Sequence, residues 1–416
     1  MAIAETPAPS PSTGTPAEAW TRRRLYTFRT GAVLFAMQIV FALSDASDGT
    51  RQVAARASGA VRAAFSAIAP QLVAAAERVA ARSDGHAVVL GLARDVGVAL
   101  VLAALWTLCD RRRRHDRLAG AVRVTLRYLV GVVMCIYGGL KVVPVQFPIP
   151  AAEELLRPLG ERTPMGLLWA FFGVSPAYTT FAGLGETIGA TLLFWRRTTT
   201  IGALLLVAVL ANVVVVNFAY DVPVKRGASL LLLAAIVLAS RDARRLARVL
   251  WLDLPTGPGR EPAWRGGPWL RRVRAVLKPL IVLLAVAGPI VTAVVAGPRA
   301  TAGGRLHGIY AVERFVRDGI DVPPLLTETG RWRRVVLGDR GAAVAQTMND
   351  HFERYGLTVD EAARTITLAG TSGQPALRFH YEATAAQTLH LHGDGQSLQE
   401  VELRAMPDAT VFRVLR

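Results

Sequence analysis

Hydrophobic positions fall into long blocks along most of the chain and into short alternating runs after residue 303. The long blocks lie at about residues 31–43, 88–108, 118–143, 178–195, 201–218, 228–239 and 280–295. A helix needs about 20 apolar residues to cross a hydrocarbon core about 30 Å thick. The pattern therefore predicts an α-helical membrane bundle of about seven transmembrane helices. The first block is short unless residues 26–30 extend it, and Pro289 falls inside the last.

Two further segments fit less simply. In residues 51–82, Val53, Ala57, Val61, Phe65, Ile68 and Leu72 recur at helical spacing, with Pro70 as a kink. This reads as an amphipathic helix against the outer face of the bundle; a membrane-surface or partner-contacting helix is the alternative. Residues 167–174 are apolar but short and precede Pro176, which suits a re-entrant or interfacial piece.

After residue 303 the period changes to two. Strand-like runs occur at 309–315, 333–337, 342–348, 356–359, 365–368, 376–381, 388–392, 398–403 and 410–414, separated by Gly, Asp or Pro. This predicts an all-β antiparallel barrel or sandwich. In Leu389-His390-Leu391-His392 the leucines are expected inside and the histidines outside. The domain plan is thus a disordered tail (1–24), two spans with the amphipathic segment (25–117), a four-helix core (118–245), a basic linker (246–278), a last span (279–298) and an exported β domain (303–416).

Composition sharpens this picture. Hydrophobic residues make up 52% of the chain and charged residues 19%, which points to a bilayer. The net charge of +17 suggests nucleic acid, but its distribution argues otherwise. Arg22–Arg24, Arg111–Arg114, Arg196, Arg197 and the 241–278 stretch flank apolar blocks, as the positive-inside rule requires. That rule puts the N-terminus in the cytoplasm and, after seven spans, the β domain outside. No signal-peptide pattern opens the chain. The two cysteines, Cys109 and Cys135, form no C-x-x-C relay.

The stretch RYLVGVVMCIYGGLKVVP from Arg127 resembles the first conserved segment of the DoxX-like membrane proteins. The stretch from Phe171 to Lys225, FFGVSPAYTTFAGLGETIGATLLFWRRTTTIGALLLVAVLANVVVVNFAYDVPVK, is similar to the second, with a glutamate inside a span and a basic turn after it. LHGIYAVERFVRDGIDVPPLLTETGRWRRV, from Leu306, resembles the extra soluble domain of one subgroup, whose members extend further than residue 416. The resemblance covers residues 118–240 and part of the C-terminal domain. It implies a DoxX-like four-helix core and an association with membrane redox or detoxification complexes; some members are subunits of thiosulfate:quinone oxidoreductase.

Glu186 is the sharpest single candidate, a carboxylate inside a span. Such a group is expensive unless paired, protonated or wet. It would act as a proton relay or contact a quinone or small substrate. The plainer alternative is a structural partner for Arg127 or Lys141. Arg123 lies near the cytoplasmic end of its span and snorkels; Arg127 is deeper and suits an ion pair. Lys141, near the outer surface, would attract an anion or snorkel. Asn212 and Asn217 suit interhelical hydrogen bonds. Tyr220, Asp221 and Lys225 would line a pocket mouth with Lys141, or form a tight turn; the turn is preferred. Arg94 and Asp95 are adjacent, about 100° apart on a helix, and each is expected to find a partner elsewhere.

His380, His390 and His392 share a sheet face, but that alternation is also expected of a solvated strand, and no metal is assigned. No flavin, haem, iron–sulfur or dinucleotide signature is present. The first expectation is an accessory or quinone-interacting subunit of a membrane redox complex, working with the lipid bilayer and a redox partner protein. A non-enzymatic binding or scaffolding protein is the second, and a small transporter the third. A filled β interior would favour a packed module over a ligand-holding one.

Overall fold

The structure is a computed structural model that describes residues 20–44, 84–143, 145–150, 152–256, 268–295, 306–338, 341–371, 375–384, 388–393 and 397–406, with isolated positions between 63 and 78. The N-terminal tail, most of the amphipathic segment, the middle of the basic linker and the last expected strand lie outside these residues.

Ten α-helices are described: α1 (Arg22–Ser44), α2 (Asp84–Cys109), α3 (Asp116–Val142), α4 (Ala152–Leu156), α5 (Pro164–Val174), α6 (Pro176–Leu193), α7 (Thr199–Ala219), α8 (Lys225–Ser240), α9 (Ala243–Leu250) and α10 (Pro268–Val295). Among the described residues three are long and apolar enough to cross a membrane: Gly85–Cys109, Asp116–Val142 and Thr199–Ala219. The bent pair α5–α6 makes a fourth if counted as one span. The expectation of seven full spans is therefore reduced. At 1.5 Å per residue, the 16 residues of α8 reach only about 24 Å, short of a hydrocarbon core. Among the described residues the apolar stretch of α10 that can be assigned is Lys278–Gly288, which by itself is too short for a span. The expected first span runs past the described side chains.

The α5–α6 break is written in the sequence. Thr163 accepts a hydrogen bond from the Gly166 amide at 3.0 Å, with Pro164 at the first helical position. Ser175 repeats the device, accepting from Tyr178 N at 3.3 Å ahead of Pro176. Proline suits the first turn, where its missing N–H would be unpaired anyway, and it disfavours a helical residue before it. The two helices consequently bend by 98°. The short 167–174 piece is thus a separate helix hinged on the following span.

The chain divides into two compact units, residues 1–129 with 223–267, and residues 130–222 with 268–416. In the first, α1 packs on α2, and the Tyr26 hydroxyl donates to Leu100 O at 2.8 Å. Asp95 on α2, 1% exposed, accepts from Arg226 Nη2 at 2.7 Å, from Arg94 at 3.0 Å and from Gln38 at 3.2 Å. The expectation for Arg94 and Asp95 is corrected in part. Their Cβ atoms diverge, but the arginine stem is long enough to bring its guanidinium back along the helix to the neighbouring carboxylate. Asp95 also reaches partners elsewhere, as expected. At the other end of α2, fully buried Arg29 donates to Asp110 O at 2.9 Å and Arg112 O at 3.2 Å. The amide of Arg112, and behind it Trp106, His115 and Arg29, hold the Asp110 carboxyl below its ordinary value.

In the second unit, nine strands form one antiparallel sheet, β1 (Gly308–Arg317), β2 (Ile320–Asp321), β3 (Trp332–Leu337), β4 (Ala342–Thr347), β5 (Phe352–Asp360), β6 (Thr365–Gly370), β7 (Leu377–Thr384), β8 (Thr388–Gly393) and β9 (Leu398–Ala405). They run as a meander, and β1 pairs back onto β9 with Phe315 opposite Val401. Eight strands therefore close into a barrel, with β2 as a two-residue spur after the Asp318–Gly319 turn, whose φ values are 51° and 78°. Closure removes the unpaired edges of an open sheet. Alternate side chains point inward and pack: Phe315, Trp332, Tyr355, Ile366, Phe379, Leu389, Leu391, Val401 and Leu403 among them. Leu389 and Leu391 are inside, as expected. Glu353 closes one corner, accepting from Trp332 Nε1 at 3.0 Å and from the Tyr355 hydroxyl at 2.9 Å. Burial, then Glu353, pushes the Tyr355 phenol far above its ordinary value. Arg331, 3% exposed, gathers the carbonyls of Val322, Trp332 and Glu313 at 2.8, 3.0 and 3.2 Å and so fastens the loop after β2.

One stripe of the outer wall is apolar too. Ile309, Val336 and Val344 are covered by Leu156, Phe352 and Met406. Leu156 belongs to α4, whose Glu153 takes a salt bridge from Arg354 on β5. Arg157 lies 5.4 Å from the Phe352 ring centroid. The loop between α3 and α5 is thereby clamped to the barrel wall.

Within this unit α3 and α6 meet through glycines. A Cβ on Gly183 would lie 2.7 Å from Gly138 O, and one on Gly138 would lie 2.8 Å from Thr187 N. Gly183→Ala or Gly138→Ala should each destabilise the protein by about 1–3 kcal/mol, since backbone rather than a flexible side chain must move. Thermal unfolding in mild detergent should show a lowered Tm for both. Gly227→Ala, where nothing lies within 4 Å, should leave Tm unchanged or raise it slightly, since alanine suits a helix better than glycine.

Candidate functional site

The α3–α6 contact is built of small residues at helical spacing. Gly131 sits under the Phe194 ring, and a Cβ there would be 3.0 Å from it. One turn on, Cys135 Sγ lies 3.8 Å from Thr191 Oγ1. Next comes the Gly138–Gly183 contact. Small residues let helix backbones approach closely in a membrane. The approach carries Lys141, one turn beyond Gly138, to Glu186.

Lys141 Nζ donates to both Glu186 oxygens at 2.7 Å. The glutamate side chain is 2% exposed and the lysine side chain 10%. Beside them the hydroxyl of Thr187 is buried with no hydrogen-bond partner among the described residues. Thr180 Oγ1 donates to Val142 O at 3.2 Å, closing the end of the crossing. The pair is charge-compensated. As it stands it is a sealed clasp. Of the two roles set out for Glu186, partner of Lys141 is the one its geometry displays.

The other candidate residues disperse. Arg127 is buried in the first unit, its guanidinium 5.4 Å from the Tyr128 ring centroid. Asn212 is exposed on α7, whereas Asn217 is buried, its amide nitrogen without a hydrogen-bond partner among the described residues. Tyr220 and Asp221 are exposed and form the preferred turn. Asp221 takes a φ of 53°, and Val222 N donates to Asn217 O at 2.9 Å. Bonds of this span close a helix around a left-handed residue. Lys225 opens α8 and is 1% exposed. Lys141 does not present a free charge to an outer anion, because Glu186 occupies it.

Two polar clusters escaped the sequence reading. Arg226, in the first turn of α8, is the closest partner of Asp95, at 2.7 Å. Arg29 was passed over inside a short apolar block, yet it caps the end of α2. The signal for both was an ionisable residue within reach of a span, the same signal that singled out Glu186.

On the barrel, His380 pairs directly opposite His392, and His392 opposite Glu400. The next row is Glu382, His390 and Glu402, with His390 Nε2 4.0 Å from Glu402. The three histidines thus share the outer face of β7–β9. Among the described residues no three His, Cys, Asp or Glu side chains are arranged to hold a metal ion.

The chain is 32% identical over 136 residues to the uncharacterized protein YwoB of Bacillus subtilis (strain 168), a match that spans 32% of this chain and 86% of YwoB. The chain belongs to the family of YwoB. No protein-family model matches it, and no solved structure matches it. The YwoB match accounts for about a third of the chain, so most of its length extends past anything that relative contains.

Removing one partner of a buried ion pair leaves the other charge uncompensated, at about 3–5 kcal/mol. Glu186→Leu and Lys141→Met should each lower the detergent-state Tm strongly. The double variant should recover most of the loss, since two well-packed apolar side chains replace the pair without an orphaned charge. Additive losses in this cycle would show that the two side chains do not act as a pair.

Proposed function

We propose that this chain is a membrane-anchored binding or scaffolding protein of DoxX-like build, its N-terminus in the cytoplasm and its barrel displayed on the outer side of a bacterial cytoplasmic membrane. One observation carries this reading. The barrel interior is filled with Leu, Val, Ile, Phe, Tyr and Trp side chains. An eight-stranded barrel is just wide enough for its own side chains to fill, so a filled one recognises with its outer wall. The β1–β5 part of that wall is already covered by α4. The β7–β9 part presents His380, His390, His392, Glu382, Glu400 and Glu402 outward, a polar face suited to a protein partner. The arginine-rich flanks of the apolar blocks support the orientation.

A second reading, an accessory or quinone-interacting subunit of a membrane redox complex, is favoured by the Lys141–Glu186 pair with the unpartnered Thr187 hydroxyl beside it. A quinone carbonyl would take a hydrogen bond there once the pair opened.

Gentle purification from the native membrane, with mass spectrometry of bound small molecules and proteins, separates the two. Under the scaffolding reading the wild type carries no stoichiometric quinone. Glu382→Lys with Glu402→Lys strips the co-purifying partner while Tm changes by no more than about 0.5 kcal/mol equivalent, as usual for surface changes. A quinone held at one per chain and lost in Glu186→Gln would reject the scaffolding reading in favour of the redox one.

A further inference from the structure

A groove of about 760 Å³ opens beside the C-terminal end of α6, lined by Trp195, Lys278, Pro279, Leu280, Val282 and Leu283. All six lie in the second unit. Its walls are aliphatic and aromatic apart from one cation. Lys278 Nζ stands 5.1 Å from the Trp195 ring centroid, at the point where the apolar part of α10 begins. Trp195 likewise follows the apolar run of α6 and precedes Arg196 and Arg197. Tryptophan and lysine at such ends mark the level of lipid headgroups.

The stretches of sequence that supply the groove's lining carry charge of one sign. No aspartate or glutamate occurs between Glu186 and Asp221, nor between Glu261 and Glu313. Over the same stretches the sequence carries Arg196, Arg197, Arg271, Arg272, Arg274 and Lys278. Basic pockets between membrane helices attract anionic headgroups, each nearby cation contributing about 1 kcal/mol. Below the cation, Leu280 and Leu283 are both exposed and run down the helix toward the hydrocarbon. A polar rim above an apolar trough matches one phosphate with an acyl chain attached.

We propose that this groove is a binding site for an anionic phospholipid of the surrounding leaflet. Lys278 holds the phosphate, and Trp195, Leu280 and Leu283 hold the first part of an acyl chain. The site is separate from the Lys141–Glu186 pair and from the barrel wall, so it does not depend on either reading above.

The test uses the full chain in nanodiscs and in mild detergent. Phosphatidylglycerol added to the detergent-solubilised protein should raise Tm, while phosphatidylcholine or inorganic phosphate at equal concentration should not. Lys278→Gln should weaken phosphatidylglycerol retention about fivefold, the equivalent of about 1 kcal/mol. Leu283→Trp, which fills the trough at an exposed position, should lower retention while leaving the lipid-free Tm unchanged. Equal responses to phosphatidylglycerol and phosphatidylcholine would overturn the proposal, as would retention unaltered in both variants. A response to inorganic phosphate alone would replace the lipid by a free anion and likewise overturn it.

Discussion

The Lys141 ammonium lies 2.7 Å from both oxygens of Glu186, and the contact exists because Gly138 and Gly183 let two helix backbones touch. Neither feature stands without the other. A lysine and a glutamate buried on separate helices would each carry a large desolvation penalty, and their attraction compensates only at contact distance. A Cβ at either glycine would push the helices apart and lengthen that distance. The small-residue stripe and the ion pair are therefore one device, and it sets the position of α6. Through α6 it also sets α5, because Ser175–Pro176 fixes the 98° bend between them.

The same rule, that a buried charge must be answered, organises the first unit. Asp95 is answered by Arg226, Arg94 and Gln38, and Arg29 by the carbonyls that end α2. Each answer comes at least partly from a residue distant in sequence. Periodicity reveals such a charge, but it does not reveal the answering residue. That is why Glu186 stood out from sequence while the choice between Arg127 and Lys141 stayed open, and why Arg226 was not matched to Asp95.

The barrel was far more legible. A period of two has a single structural meaning when turns punctuate it every few residues, so eight strands fall where the alternation put them. Barrel versus sandwich was decided by one pairing, β1 with β9, which joins residues about 90 positions apart and leaves no local trace. The helical part was less legible because hydropathy measures composition, whereas spanning needs length. Residues 228–239 are as apolar as a span, yet α8 ends at Ser240 after 16 residues. Among the binding candidates, the Tyr220–Asp221 turn was read correctly because Asp tolerates a left-handed backbone, a property of the residue itself. Asn212 and Asn217 differ in burial, 212 exposed and 217 buried, and a sequence pattern cannot distinguish them when the whole helix is apolar.

The packed barrel core leaves its outer wall and loops exposed, and α4 covers part of that wall. Glu153, Leu156 and Arg157 cover the strands from β1 to β5, with an ion pair to Arg354 and a cation over Phe352. These contacts tie the loop between α3 and α5 to the barrel wall.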